Sequence, residues 1–130
     1  MNRRIAQIAL LVRDYDEAIA WFVRALGFVL LEDTDLGGGK RWVRIAPTED
    51  AAFALLLAQA SAPEQRASIG RQHGGRVGFF MHTDDFTRDH ARLVASGVRI
   101  EGQPRHESYG TVIVFEDLYG NRWDLIGPSR

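Results

Sequence analysis

Apolar and polar positions along this chain follow two rhythms, and the order of those rhythms nearly repeats. Residues 5–12 are apolar except for Gln7 and Arg-free throughout, the pattern of a strand covered on both faces. Asp14 and Glu17 have capping-box spacing, and Ile19, Phe22, Val23 and Leu26 then fall on one helical stripe. Gly27 suits a left-handed helix end. Strands are predicted at residues 28–32, 41–46 and 52–59, with a polar, glycine-rich loop over 33–40. The first half therefore reads βαβββ.

Residues 60–75 form a linker in which Pro63 opens a short helix and His73-Gly74-Gly75 closes the segment. The rhythm then returns. A strand is predicted at 76–83 and a helix at 85–95 with Phe86, Leu93 and Val94 inward. Strands follow at 98–101, 111–116 and 122–126, the last two joined by a tight hairpin at Leu118-Tyr119-Gly120-Asn121. Aligning Asp14 with Asp85 leaves Gly27 and Gly97 one residue out of step, so the halves match in structure rather than letter by letter. The organisation expected is one domain, 1–130, with modules at 3–59 and 76–128. A duplicated half is expected to close on its copy to bury its core, and the cleft where halves meet is a natural place for a ligand.

Composition narrows the function. A formal net charge of -1 gives no electrostatic case for nucleic acid. The absence of cysteine removes disulfides, thiolate nucleophiles and cysteine-based zinc sites, and it fits a reducing, cytoplasmic setting. No apolar stretch approaches the ~20 residues of a membrane span, and residues 5–12 meet Arg13-Asp14 rather than a cleavage site. Gly37-Gly38-Gly39-Lys40 fails the spacing of a phosphate loop and reads as a flexible hairpin able to fold over a ligand.

The paired βαβββ halves carry two longer signatures. One is the opening Ile5-Ala6-Gln7-Ile8-Ala9-Leu10-Leu11-Val12-Arg13-Asp14. The other is the closing Val114-Phe115-Glu116-Asp117-Leu118-Tyr119-Gly120-Asn121-Arg122-Trp123-Asp124-Leu125. Together they resemble the vicinal oxygen chelate superfamily, which includes glyoxalase I, bleomycin-resistance proteins and extradiol dioxygenases. The resemblance implies an α+β fold of two βαβββ modules forming cupped mixed sheets, with helices on the outer face. It also implies a homodimer and metal ligands from four strands. Gln7 stands at the first ligand position and Asp124 at the last, where glyoxalases carry Glu.

The two middle positions do not follow that pattern. Residues 52–59 hold no acid or imidazole, and Val77 and Gly78 stand where His is expected. His82 lies four residues beyond Gly78, ~13 Å along a strand. The metal set is thus incomplete: no cofactor is expected, and a divalent metal is disfavoured. The expected function is binding of a small organic molecule, with Gln7, Asp124, Trp42, Phe53, Phe79 and Trp123 as ligand contacts. His106, Tyr109 and His82 are the catalytic candidates, the first two in a loop at 106–110. His73 and His90 read as surface residues. Two alternatives stay open: a metal-dependent lyase, isomerase or dioxygenase, and a non-catalytic dimeric module.

Overall fold

The computed structural model describes residues 1–128. The chain divides into two compact units, Met1–Ile69 and a second from Gly70 onward. Unit one holds β1 (Gln7–Val12), α1 (Tyr15–Leu26), β2 (Val29–Gly37), β3 (Lys40–Ala46), β4 (Ala54–Gln59) and the short α2 (Pro63–Ser68). Unit two holds β5 (Val77–His82), α3 (Phe86–Ala95), β6 (Ile100–Glu107), β7 (Gly110–Glu116) and β8 (Arg122–Gly127). Each unit carries one four-stranded mixed sheet, in the orders β1-β4-β3-β2 and β5-β8-β7-β6. The fold is α+β, built from two βαβββ modules.

The helices begin where the sequence places their caps. The Asp14 carboxylate accepts from the Glu17 amide at 2.8 Å, and Asp85 accepts from the Arg88 amide at 3.0 Å. Each satisfies an amide that the first helical turn leaves without a partner. Gly27 closes α1 at φ 68°, donating its amide to Phe22 and Val23 carbonyls. The buried stripe of α1 is Tyr15, Ala18, Phe22 and Ala25. Val23 and Val94, expected inward, are exposed, because the true stripes run through Phe22 and Leu93. Leu10, Val12, Val43, Ile45, Leu55 and Leu57 form the buried face of the first sheet, in register across β1, β4 and β3. Side chains alternate along a strand, so Gln7, Ala9, Leu11, Leu56, Ala58, Trp42 and Arg44 share the opposite face.

Two expected loops are strand. β2 continues to Gly37, and only a tight turn at Gly38-Gly39 separates it from β3. The polar residues there are held by cross-strand partners: Arg41 pairs with Asp33 at 2.7 Å and Arg44 with Glu32 at 2.9 Å. Likewise β6 runs through His106 and Glu107, leaving Ser108-Tyr109 as the turn into β7.

The β7–β8 turn is fastened by a buried carboxylate. Asp117 accepts from the amides of Tyr119 and Asn121, from Asn121 Nδ2 and from Trp123 Nε1, all near 3.0 Å. Burial pushes its carboxyl above the usual range, and the donors from Trp123 and Asn121 oppose that push. Gly70 packs against the same turn. It sits at φ +78°, and a Cβ there would lie 1.9 Å from the Tyr119 carbonyl oxygen. Asp117→Ala strands several buried donors, so it is expected to cost about 2–4 kcal/mol in urea unfolding. Unfolding followed by far-ultraviolet circular dichroism checks this, and a loss below about 0.5 kcal/mol counts against the fastening role.

Candidate functional site

The first unit contains a cleft of about 460 Å³. Its lining takes Leu11, Trp42, Leu56 and Ala58 from the sheet face away from the core, together with Leu57 and Gln59 near the end of β4. The β2–β3 hairpin forms one side with Gly38, Gly39, Lys40 and Arg41, and α2 reaches it through Gln65. Gly38 and Gly39 take φ of +63° and +83°, a backbone that lets the hairpin turn in two residues.

Tyr15 lines the same cleft from the first turn of α1, although it is buried. Its hydroxyl oxygen accepts from the Arg41 amide at 3.2 Å, leaving its own proton available. The Arg41 guanidinium lies 5.0 Å from the Tyr15 ring centroid and is paired to Asp33 and Asp16. Hydrogen bonding from Arg41 holds Asp33 below the usual carboxylate range. Gln65 Oε1 accepts from the Ser61 amide at 2.8 Å and from its hydroxyl. Tyr15 and Gln65 were not singled out in the sequence. The one signal for Tyr15 was an aromatic placed directly after a helix cap, and none marked Gln65.

The sequence candidates are distributed over both units. Gln7 is half-buried on β1, on the face of the first sheet that carries Trp42. Phe53 precedes β4 and is exposed. In the second unit Phe79, Trp123 and Phe115 are buried and stacked, with centroid separations of 4.6 and 5.7 Å. His73 packs edge-on to Phe79 at 4.9 Å and fills the space over Gly78, instead of standing free at the surface. His82 is exposed at the end of β5, and Tyr109 is exposed in the β6–β7 turn.

His106 lies on β6 with Nδ1 3.2 Å from Thr111 Oγ1. It borders a second cleft, about 530 Å³, with His90, Phe86 and Pro104. His90, expected at the surface, therefore lines a concavity. This grouping arises because the first turns of α3 lie beside β8: a Cβ on Gly127 would meet Phe86 Cβ at 2.5 Å.

Asp124 is the most unusual polar group. It is only 8% exposed, and its Oδ1 is buried without a hydrogen-bond partner. Its register partners are Phe80 on β5 and Val114 on β7. Burial pushes its carboxyl up, and Arg105 and Arg122 oppose that push. Both arginines are already engaged, Arg105 with Glu107 at 2.9 Å and Arg122 with Glu101 at 2.8 Å.

The four-strand metal set implied by the sequence resemblance can be tested on these neighbours. β4 offers only Ala54, Leu56 and Ala58 on the face of Gln7, and β5 places Phe80 beside Asp124. Gly78 has no side chain to offer, and a Cβ there would meet the His73 ring at 2.2 Å. These side chains supply no oxygen or nitrogen at the two middle positions, so the donor set does not fit such a metal.

A buried acid with a raised pKa weakens the fold as pH climbs from the unfolded chain's value, near 3.8, to the higher folded value. Above that window the cost is constant, and below it the cost vanishes. Asp124→Asn is therefore expected to raise the melting temperature at neutral pH, with a gain that shrinks to nothing on acidification below about 4. Thermal unfolding of both proteins across pH checks this, and a pH-independent difference counts against it.

Comparison with known proteins agrees with this architecture. The glyoxalase/bleomycin resistance protein/dioxygenase superfamily model matches residues 4–125. An uncharacterised protein of Shewanella frigidimarina (strain NCIMB 400) is 51% identical over 127 residues, covering 97% of this chain and 94% of that one. The crystal structure of UcmS2 superposes with a TM-score of 0.81 at 27% identity, covering 97% of this chain and 98% of its own. TnmS3, an antibiotic binding protein from Streptomyces sp. CB03234, gives a TM-score of 0.77 at 30% identity, with 98% of each chain covered. With its two βαβββ modules and a match over nearly its whole length, the chain belongs to the glyoxalase/bleomycin resistance protein/dioxygenase superfamily.

Proposed function

We propose that this chain binds a small, flat, mainly apolar organic molecule in the cleft of the first unit, without the metal set of the superfamily's metalloenzymes. The observation that carries the reading is the cleft itself. Its volume of about 460 Å³ lies within the range of small-molecule sites. Trp42 offers a ring for stacking, and Leu11, Leu56 and Ala58 offer apolar surface around it. The polar side chains of Tyr15, Lys40, Arg41, Gln59, Ser61 and Gln65 border that surface and give a ligand groups to orient against. The similarity to TnmS3, an antibiotic binding protein, supports the same reading.

The test is a binding screen with planar aromatics and antibiotics, read by Trp emission and thermal shift on chelator-treated protein. Binding that survives chelation and falls about tenfold in Trp42→Ala is the expected result. Binding that appears only when a divalent metal is returned would overturn the metal-free part of the reading. No binding by any probe would leave a non-catalytic module as the better account.

Two copies pair in this reading. Ile5, Ile8 and Phe53 remain 79%, 44% and 45% exposed around the start of β1 and β4, and β1 is the terminal strand of its sheet. Light scattering at micromolar concentration is expected to give twice the chain mass. A single-chain mass that persists as concentration rises argues against pairing.

A further inference from the structure

The first unit's cleft also carries information about the charge of its occupant. None of its lining residues is Asp or Glu, whereas Lys40 and Arg41 both line it. Their charges are not equivalent. Arg41 is neutralised by Asp33 at 2.7 Å and Asp16 at 2.9 Å, on the side of the hairpin and helix. Lys40, the only lysine in the chain, has no ion pair among the described residues. The neutral polar groups divide: Gln59 and Ser61 have donated, to the Arg13 carbonyl and to Gln65, and keep their oxygens, while Tyr15 and Gln65 keep donors. Tyr15 has already filled an acceptor site with the Arg41 amide, so what it has left to give is its proton. Gln65 has its carbonyl oxygen occupied by Ser61, which leaves its NH₂ as the unspent half of the amide. An unpaired cation and the Tyr15 and Gln65 donors thus border the floor, and no carboxylate lines it to answer the charge of Lys40.

From this arrangement we infer that the cleft takes a flat aromatic bearing an anionic group, such as a carboxylate, sulfonate or phenolate. The ring lies against Trp42 and Leu56, and the anion meets Lys40 and the Tyr15 hydroxyl at the hairpin. The inference rests on the binding reading above and adds the ligand's charge to it. Lys40 supplies attraction that a neutral ring does not use, and that attraction is screened by salt because the lysine is exposed.

Two fluorescent probes of similar ring size separate the two ideas. Anilinonaphthalene sulfonate carries the anion, and N-phenylnaphthylamine does not. Both are titrated into the full chain, into Trp42→Ala, Lys40→Met and Tyr15→Phe, with circular dichroism as a check on folding. The expected result is tighter binding of the sulfonate. Lys40→Met is expected to weaken it about three- to fivefold, and raised salt to weaken it similarly, with the neutral probe unchanged. Lys40→Arg is expected to restore most of the loss. Loss of both probes in Trp42→Ala assigns them to the cleft. If both bind there equally and Lys40→Met does not change their ratio, the charge inference is overturned while the binding reading stands. If neither binds, or Trp42→Ala leaves both unaffected, both ideas are overturned.

Discussion

Each sheet in this protein has one long helix to cover it, and a helix can cover only one face. That constraint organises everything else. In the first unit, Leu10, Val12, Val43, Ile45, Leu55 and Leu57 are buried in register, and the alternation of strand side chains leaves the other face to Gln7, Leu11, Trp42, Leu56 and Ala58. A slip of one residue would exchange the two sets. Burial of Leu10, Val12, Leu55 and Leu57 is what prevents it, because the pairing that aligns Leu10 with Leu57 keeps all four out of water. The cleft is therefore a consequence of core packing. Its floor is whatever the core-forming register leaves facing away.

Three aspartates show how far environment decides the work of one side chain. Asp14 is exposed and caps α1, where one amide is enough to occupy it. Asp117 is buried but surrounded by donors, and so fastens the β7–β8 turn. Asp124 is buried with one oxygen unanswered, although two arginines lie close enough to stabilise its charge. The first was placed by the sequence as a cap, and the role of the second came from the structure. The third was recognised only by its place in a family pattern, whose two middle positions carry no donor side chain here.

Much of the fold was legible in advance because it follows from local periodicity. Both capping aspartates, the Gly27 helix end, the two strand–helix–strand runs and the final hairpin all rest on neighbours within a few residues. Misreadings came where a distant partner overrides local composition. Residues 33–37 are polar and looked like loop, yet Arg41 and Arg44 draw Asp33 and Glu32 into a ladder. His106 looked like a loop residue for the same reason, and its partner Thr111 lies across the strand pair. His73 looked free because nothing nearby in sequence shows that Gly78 leaves room for its ring.

What the sequence alone determined was the order of elements and the caps of the two long helices, because these depend on spacings of three or four residues. It also determined that the two middle ligand positions lack donor side chains, since composition cannot be changed by folding. Only the tertiary structure decided which residues share a cleft. Tyr15, Lys40, Trp42 and Gln65 come from α1, the β2–β3 hairpin, β3 and α2, and no local pattern links them. Their meeting depends on strand register and on the way one helix packs, and both are settled by burying the opposite face.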